Sequence, residues 1–478
     1  MSKATIGIVG LGVMGRNLAF QLAAKGHGVA VTDPWPAAVR DFRAAILPLG
    51  EGIAVHDTLG DLIEGLARPR AVLIMIKAGA PVQQQIDALV PLLGPDDLIL
   101  DGGNSHYSDT VRRGVALGDH GLRYLGIGIS GGEEGARTGA SIMAGGSREG
   151  YAQVEGLLND IAAKVDGVSC AAYLGDGGAG HFVKAVHNGI EYAEMQLIAE
   201  AYLILKDLLA LNHEAMAAVF DQWNQGALRS YLIEITARIL ATKDSESEAP
   251  LVEMILDKAG QKGTGRWAAE AALDLGVPAP SLAEAVSARS LSALKDQRIA
   301  AEAVLPTPER SALLVKEELA PEQLGEALLA ARICIFAQGF ALMKAAKEAY
   351  GWSLDLAQVA RIWRAGCIIR AGLLEVIDQA YREAPDLDNL LLAPGFRHTF
   401  ERTQRAWRRT IGTAVGYGLP VPALGSALAY FDTYRRARLP ANLIQAQRDY
   451  FGAHGFERTD QTGTFHGHWQ DEPEDPQP

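Results

Sequence analysis

Residues 6–16 read IGIVGLGVMGR, an apolar run that leads into a glycine-rich turn, and the helix-like stretch 16–26, RNLAFQLAAKG, follows. Gly10, Gly12 and Gly15 have the spacing GxGxxG. In a strand–turn–helix unit the first glycine permits a tight turn, the second lets the backbone approach a pyrophosphate, and the third lets the helix pack closely. The helix N-terminus then faces the phosphates. A glycine-rich turn without a ligand is the alternative, but the flanking pattern favours a dinucleotide-binding unit.

The pattern around this turn alternates, up to about residue 178, between short apolar runs and helix-like stretches. The further runs are 28–33 (GVAVTD), 71–77 (AVLIMIK), 98–105 (LILDGGNS) and 122–130 (LRYLGIGIS). Such alternation is typical of a parallel sheet with crossover helices. We therefore predict a Rossmann-like α/β domain over residues 1–178.

The residue composition and the spacing of apolar residues change twice after this domain. Residues 179–435 are rich in Ala and Leu at helical spacing, with few strand signals, and predict a large all-α domain. Residues 436–478 are polar, aromatic and punctuated by glycine, and predict an extended C-terminal tail that packs on a second subunit. His466 and His468 in this tail are too few ligands for a good metal site, so none is predicted.

Composition limits the class of protein. The 478 residues carry a formal net charge of −13, which argues against a general nucleic-acid binder and requires a local cationic pocket for an anionic substrate. Charged residues interrupt every apolar run that could cross a bilayer, and the N-terminus lacks a secretory pattern. The three cysteines, Cys170, Cys334 and Cys367, are widely spaced and are interpreted as buried thiols of a cytoplasmic protein.

Asp33 ends the second apolar run, at the distance from GxGxxG where an acid binds the ribose hydroxyls of NAD. Its charge would repel the 2′-phosphate of NADP. Arg40 is the first cation after it, whereas an NADP site favours one immediately after the strand. The sequence thus favours NAD, with NADP possible. The alternative is that Asp33 only caps the turn before Pro34.

Lys184, His187, Asn188 and Glu191 are spaced so that all four share one face of a helix. Because the other faces are apolar, we expect this polar stripe to lie inside the protein. Burial would lower the pKa of the lysine and raise that of the glutamate, toward values useful for proton transfer. A solvated stripe on a surface helix is the alternative.

Three glycine-containing segments complete the candidate site. Residues 101–105 (DGGNS) and 130–134 (SGGEE) follow predicted strands, at the carboxyl ends where open α/β sheets bind ligands. Residues 261–265 (QKGTG) offer an ammonium group and backbone amides to a phosphate, and a flexible linker is the alternative interpretation.

Over essentially its full length the chain resembles the long form of 6-phosphogluconate dehydrogenase. The segments that carry the resemblance are GLGVMGRNLA, IKAGAPV, DGGNSHYSDT, GISGGEEGAR, VKAVHNGIEYAEMQ, AGQKGTG, ARIWRAGCIIRA and NLIQAQRDYFGAH, in family order. The resemblance implies a Rossmann-like domain, an all-helical substrate and dimerisation domain, and a tail that reaches into the partner of a homodimer, with a tetramer possible. It also implies oxidative decarboxylation of 6-phosphogluconate.

The resemblance also implies roles for individual residues. Lys184 would be the general base and acid, and Glu191 would protonate the product carbon. The sugar acid would be held by Asn104, Ser130, Gly131, Gly132, His187 and Asn188. The phosphate would be held by Tyr192, Lys262, Thr264 and Arg289, with Arg448 and His454 from the other subunit's tail. The cofactor would lie along Gly10, Gly12, Val13, Met14, Gly15, Asp33, Trp35, Lys77, Ala78 and Asn104.

The chain departs from the NADP-type members of this family at Asp33-Pro34-Trp35, where they have an Asn-Arg-Thr-like turn. Trp35 is a candidate cover for the adenine, or simply an aromatic side chain at the surface. Two other functions stay open at this point. Another β-hydroxyacid dehydrogenase would share the dinucleotide motif and the lysine, and a non-catalytic NAD-sensing protein would share the fold.

Overall fold

The computed structural model describes residues 3–46, 52–261, 263–306, 308 and 319–469. The chain separates into two compact units, with the boundary between Leu428 and Ala429.

An eight-stranded sheet dominates the first part of the chain, with strand order β10-β7-β6-β5-β4-β1-β2-β3. Its strands, together with the small β8–β9 hairpin, are β1 (Ile6–Val9), β2 (Val29–Thr32), β3 (Ile53–Val55), β4 (Ala71–Ile74), β5 (Leu98–Asp101), β6 (Arg123–Ser130), β7 (Ser141–Gly146), β8 (Lys164–Val165), β9 (Val168–Ser169) and β10 (Ala171–Tyr173). Strands β1 to β6 run parallel, which confirms the predicted sheet, whereas β7 pairs antiparallel with β6.

Helices cover both faces of the sheet. They are α1 (Val13–Ala24), α2 (Pro36–Ile46), α3 (Leu59–Glu64), α4 (Ala80–Leu89), α5 (Tyr107–Gly118), α6 (Gly132–Thr138) and α7 (Arg148–Ile161). Alternate side chains of one strand feed different cores: Leu98 and Leu100 pack in one cluster and Ile99 in the other. The chain order reverses between β1 and β4, so the crevice at their carboxyl ends is where this kind of sheet binds a ligand.

The described residues from Ala179 onward are mainly helical. The helices are α8 (Ala179–Leu203, continued by a π-helical turn at Ile204–Leu208), α9 (His213–Asn224), α10 (Tyr231–Ala241), α11 (Leu251–Met254), α12 (Thr264–Asp274), α13 (Pro280–Ser292), α14 (Lys295–Val304), α15 (Pro321–Tyr350), α16 (Leu356–Ile362), α17 (Leu373–Glu383), α18 (Pro394–Gly416), α19 (Pro422–Tyr434) and α20 (Ala441–Gly452). This confirms the large helical domain expected after the sheet.

Helix α8 lies close against the sheet and so fixes the position of the polar stripe. Gly128 of β6 allows the approach, because a side chain at this position would meet the Cβ and Cγ atoms of Lys184. On α8 itself, a side chain at Gly180 would collide with the backbone oxygens of Gly126 and Met143. The contact places Lys184 beside the end of β6.

Helix α15 corrects one expectation from the sequence. Within the described part of the chain it is the one helix long and apolar enough, by length and composition, to cross a membrane. A charged residue inside this run, Arg332, is buried and paired with Glu194 of α8 at 2.7 Å. Because 89% of the apolar window of α15 is buried inside the protein, the helix has the placement of a core helix.

The second unit contains α20 and a hairpin of β11 (Phe456–Glu457) and β12 (Thr464–Phe465). The expectation of an extended tail is wrong for residues 441–452, where Leu443, Ala446 and Tyr450 recur at helical spacing along one groove. The buried Asp449 carboxylate holds the hairpin end: it accepts hydrogen bonds from Gly455 N, Gly467 N, Trp469 Nε1 and the ring of His466, each at 2.8 Å. The bond from Gly467 N and the others lower the pKa of Asp449.

Candidate active site

The glycine-rich turn after β1 has the geometry of a phosphate cradle. Gly10 has a φ of +114°, and a side chain there would collide with the carbonyl oxygen of Met75. A side chain at Gly15 would collide with the carbonyl of Gly10, so α1 can pack against the turn only with glycine here. At Gly12 a Cβ would meet open space, and no side chain of the described chain caps the first turn of α1. The free N–H groups and the open space fit a dinucleotide pyrophosphate.

Asp33 organises the loops around this cradle. Its Oδ2 accepts a hydrogen bond from Leu11 N at 2.6 Å, and its Oδ1 accepts one from Trp35 N at 2.8 Å. Asp33 therefore caps its own turn, as the alternative interpretation held. Each carboxylate oxygen can accept a further bond, so the ribose role stays available. Trp35 is 75% exposed, and Arg40 is exposed on α2.

A cavity of about 990 Å³ opens at the carboxyl ends of the central strands. Sequence-predicted residues that line it are Met14, Lys77, Ala78, Asn104, Ser130, Gly131, Gly132, Lys184, Asn188, Glu191 and Thr264. Other described residues with predicted roles stand outside this lining: Gly10, Gly12, Val13, Gly15, Asp33, Trp35, His187, Tyr192, Arg289, Arg448 and His454.

Several lining residues were not given a role from the sequence, among them His106, Asp109, Trp267 and Ile368. The ring of His106 meets Trp267 edge-on, with 5.0 Å between centroids. Burial lowers the pKa of His106. His106 and Asp109 follow the DGGNS segment within five residues, and that proximity was the available signal.

Asn104 carries two signs of a ligand-binding residue. Its φ is +53°, in the left-handed region that non-glycine residues rarely adopt. Its side-chain Oδ1 is buried and has no hydrogen-bond partner among the described residues. A buried polar atom without a partner costs stability, so its presence at the cavity fits a bound polar group of a cofactor or substrate.

The prediction that the polar stripe of α8 lies inside the protein is confirmed. Lys184 is 6% exposed and His187 is fully buried, while Glu191 is partly buried at the cavity. Lys184 Nζ donates to Ser130 Oγ at 3.2 Å and lies 3.3 Å from His187 Nδ1. The nearest oxygen of Glu191 is 3.6 Å from the same His187 nitrogen.

The surroundings of the stripe shift all three ionisable groups toward their neutral forms. Burial lowers the pKa of Lys184, against the opposing effect of the Glu191 charge. Burial likewise raises the pKa of Glu191, and burial together with the Lys184 charge holds the pKa of His187 well below its usual range. A neutral lysine can accept a proton and a protonated glutamic acid can donate one, which is the pairing needed for general base and acid catalysis.

His187 lies behind the cavity wall and connects its polar groups. Its Nε2 is 3.1 Å from Ser130 Oγ, and its Nδ1 is 3.2 Å from Asn188 Oδ1. Asn188 Nδ2 in turn donates to Thr264 Oγ1 at 2.5 Å. With the proton on Nδ1, each of the four bonds that link Lys184, Ser130, His187, Asn188 and Thr264 has one donor and one acceptor, and the Nδ1–H can also face the lone pair of a neutral Lys184 amine. His187 thus orients Ser130 and Asn188, which do line the cavity.

The residues expected at the substrate phosphate belong to both units of the chain, and each unit is described by itself. Arg289 lies 3.4 Å above the ring of Tyr192, and its Nη1 donates to Gly260 O at 3.2 Å. Lys262 lies outside the described residues. Arg448 and His454 belong to the second unit, where Arg448 Nη1 donates to Gln445 Oε1 at 3.1 Å and His454 meets Phe451 edge-on. Within the described chain no three His, Cys, Asp or Glu side chains cluster as a metal site.

Two family models match the chain on either side of the start of α8. Residues 5–175 match the NAD binding domain of 6-phosphogluconate dehydrogenase, and residues 180–469 match the C-terminal domain of 6-phosphogluconate dehydrogenase. The two matches together cover most of the chain.

Relatives of known name are similar over the full length. The NADP(+)-dependent decarboxylating 6-phosphogluconate dehydrogenase of Bacillus subtilis (strain 168) is 49% identical, over 98% of this chain and 100% of its own. The NAD(+)-dependent decarboxylating enzyme of the same strain is 48% identical, over 98% of this chain and 99% of its own. Because relatives with either cofactor are equally similar, overall similarity does not choose between NAD and NADP.

A solved structure of Plasmodium falciparum 6-phosphogluconate dehydrogenase, described in its apo form and with NADP+ or 6-phosphogluconate, has the same fold. The match covers 97% of this chain and 100% of the Plasmodium falciparum chain, with a TM-score of 0.93 and 39% sequence identity. The likeness includes both the sheet domain and the helical domain.

Proposed function

Because this chain belongs to the 6-phosphogluconate dehydrogenase family, we propose that it oxidises and decarboxylates 6-phospho-D-gluconate to D-ribulose 5-phosphate and CO2, with NAD preferred over NADP as the oxidant. The observation that carries the proposal is the placement of Lys184. Its buried amine hydrogen-bonds Ser130, and it shares one cavity with Glu191 and Asn104. We further propose that this reaction is a step of the pentose phosphate pathway and that the protein acts in the cytoplasm.

Lys184 begins the reaction as a neutral base, since burial lowers its pKa. It takes the proton of the C3 hydroxyl of the substrate. The nicotinamide ring, when bound, supplies the acceptor for the hydride of C3. The Lys184 ammonium then hydrogen-bonds or protonates the C3 oxygen and stabilises the charge that develops as CO2 leaves the 3-keto acid.

Glu191 completes the reaction as a general acid. Burial raises its pKa, which favours the protonated form needed to deliver a proton to C1 of the enediol. His187, neutral because of burial and the neighbouring Lys184, holds Ser130 Oγ in place for the lysine. The chain of bonds through Asn188 to Thr264 keeps these groups in fixed orientations.

The remaining predicted residues divide between the two ends of the substrate. The sugar acid would contact Asn104, Ser130, Gly131, Gly132 and Asn188. His187, behind the cavity wall, would hold Ser130 and Asn188 in position. The phosphate would be held by Tyr192, Lys262, Thr264 and Arg289, and by Arg448 and His454 of the partner subunit in a homodimer with exchanged tails. Among these residues, Lys262, Arg289 and Arg448 would supply the local positive charge that a chain of net charge −13 needs for an anionic substrate.

The preference for NAD rests on Asp33. Its carboxylate lies at the end of β2 and keeps acceptor capacity for ribose hydroxyls, whereas a 2′-phosphate would be repelled. The exposed Trp35 is next to it and is available to cover the adenine. Met14, Lys77 and Ala78 line the cavity on the cofactor side.

Two other functions are less well supported. Another β-hydroxyacid dehydrogenase would account for the sheet domain and Lys184, but not for the match of residues 180–469 to the C-terminal domain of 6-phosphogluconate dehydrogenase. A substrate without a phosphate would also not need the proposed phosphate-binding residues Lys262, Arg289 and Arg448. A non-catalytic NAD sensor would not need a buried lysine and glutamate with opposite pKa shifts in one cavity.

The test is the initial rate with 6-phosphogluconate, measured in parallel with NAD and NADP while CO2 is trapped. Turnover with CO2 release, faster with NAD at low cofactor concentration, supports both parts of the proposal. Turnover that favours NADP contradicts the argument from Asp33 alone. If neither cofactor gives turnover, the reaction itself is wrong, and 3-hydroxy acids without a phosphate become the substrates to try.

A further inference from the structure

Two neighbouring turns line the cavity. Residues 75–79 follow β4, and residues 102–104 follow β5. The second turn packs directly on the first: a Cβ at Gly102 or Gly103 would collide with Met75 or Ile76. Glycine lets the turns approach each other and a ligand, but it supplies no side chain to hold them. Met75 and Ile76 anchor the start of the first turn in the core clusters, so contacts from outside the turns bear mainly on its far end at Gly79 and on the second turn.

Arg113 of α5 provides that connection. Its side chain is 2% exposed, and its guanidinium donates in three directions. Nη2 donates to the carbonyl oxygen of Gly79 at 3.0 Å, in the first turn. Nη1 donates to Asp101 Oδ2 at 3.2 Å and Ser105 Oγ at 3.1 Å, on either side of the second turn. Nε donates to Gln83 Oε1 at 3.2 Å, on α4.

Asp101 transmits this connection to Asn104. Its Oδ1 accepts a bond from Gly103 N at 3.0 Å, and its Oδ2 accepts one from Ser105 Oγ at 2.7 Å. Both residues adjacent to Asn104 are therefore tied to one buried carboxylate, which Tyr124 also bonds at 2.9 Å. An unfavourable backbone conformation such as the φ of +53° at Asn104 persists only when its surroundings over-determine it.

We propose that Arg113, acting through Asp101 and Gly79, is a positioning residue that sets the distance between the cofactor-side turn 75–79 and Asn104. The inference rests on the proposed function, because that function assigns Lys77 and Ala78 of the first turn to the cofactor and Asn104 of the second turn to the sugar acid. Arg113 does not line the cavity, so it acts only through the groups that it holds. Its planar, forked donors reach both turns at once, which a lysine ammonium at the same position does not.

The sheet offers a matched control. Arg70 and Asp97 form a second buried pair, with Nη1 and Oδ2 3.1 Å apart, immediately before β4 and β5. This pair lies at the amino ends of β4 and β5, whereas Arg113 joins Asp101, at the carboxyl end of β5, to Gly79 in the turn after β4. A substitution there disturbs a buried ion pair of the same chemistry without touching the turns at the cavity.

The experiment compares Arg113→Lys and Arg70→Lys in the full-length enzyme. It measures the melting temperature without ligands, the binding of NADH by calorimetry, steady-state kinetics, and the kinetic isotope effect with 6-phosphogluconate deuterated at C3. We expect both variants to melt earlier. In Arg113→Lys alone, kcat falls on the order of 100-fold, as for a misplacement of about 1 Å. The isotope effect on kcat rises at the same time, because hydride transfer becomes rate-limiting.

The outcomes separate this inference from the proposed function. If wild-type enzyme does not turn over 6-phosphogluconate, the proposed function fails. If the wild type is active and both lysine variants keep its kcat and isotope effect, Arg113 is merely structural and the inference is overturned. Ser105→Ala, which removes one hydroxyl from the same cluster, keeps the test decisive should Arg113→Lys not fold: a smaller loss of kcat with a raised isotope effect supports the inference, and wild-type values overturn it.

Discussion

A buried arginine–aspartate pair lies next to each end of the neighbouring strands β4 and β5, and the two pairs differ in the groups that they hold. At the amino ends, Asp97 bonds the Arg70 side chain and also the main-chain nitrogens of Arg70 and Gly94. These contacts stay within the segments that lead into β4 and β5. At the carboxyl ends, Arg113 and Asp101 reach Gly79, Gly103 and Ser105, in or next to the turns at the cavity.

The difference follows from what each end of a parallel sheet must do. The amino ends only connect helices to strands, so no ligand has to approach the backbone there and side chains can fill the space around it. The carboxyl ends must let the backbone approach a ligand, and the glycines at positions 10, 12, 79, 102 and 103 offer no side chain at these points for anchoring the turns. A buried ion pair next to these turns replaces the missing support. We expect equal disturbances to have equal effects on stability at the two ends and unequal effects on activity.

The largest expected effect tests whether the buried lysine next to the carboxyl end of β6, Lys184, takes part in the chemistry. Lys184→Met should lower kcat by about 10²- to 10⁴-fold, the usual contribution of a general acid–base group. Because burial already disfavours the charge of Lys184, folding stability and NAD binding should be retained. Arg70→Met is the control, with lost stability and retained kcat. Turnover near that of the wild type in Lys184→Met would remove this lysine from the mechanism.

Stability gives the second test of the comparison. Asp101→Asn and Asp97→Asn each leave a buried arginine without its charge partner, so each should lower the free energy of unfolding by about 3–5 kcal/mol. Urea titration of the two proteins measures this. Only Asp101→Asn should also lower kcat under conditions where both variants are folded. A similar loss of kcat in Asp97→Asn would mean that the two ends of the sheet are not functionally distinct.

Cofactor choice tests the carboxyl end of β2. Asp33→Asn combined with Pro34→Arg removes the negative charge and adds a cation, and should raise kcat/KM with NADP relative to NAD about tenfold, equivalent to ~1.4 kcal/mol. Arg40→Gln, on exposed α2, is the control and should leave this ratio unchanged. If the double variant keeps the wild-type ratio while Arg40→Gln shifts it, the discriminating group is Arg40.

The smallest expected effect is a shift of the pH profile. The Glu191 charge raises the pKa of Lys184, so Glu191→Gln should lower that pKa further. The base must be neutral, and kcat/KM is therefore lost as pH falls through the Lys184 pKa. The acid limb of the kcat/KM profile should move to lower pH in Glu191→Gln, in addition to the loss of rate. An acid limb that stays in place would mean that another group controls it.

Much of the fold and part of the site followed from local patterns in the sequence. The GxGxxG turn, the parallel strands and the buried stripe of α8 were predicted, because each depends on spacing along the chain. The helical segment 441–452 was missed, since its apolar residues were interpreted as an extended tail. The passage of α15 through the interior was also missed, because the partner that neutralises Arg332 lies far away in sequence, at Glu194.

The sequence by itself determined which residue types are available: glycines for the phosphate turn, a lysine and a glutamate on one helix face, and an acid after β2. Only the tertiary structure decided which of them meet. It brought Lys184 to Ser130 across the contact at Gly128, placed His187 behind the cavity wall, and joined Gly79 to Asp101 through Arg113. The physical reason is that spacing along one element follows from its own geometry, whereas burial and contacts between elements depend on how the whole chain packs.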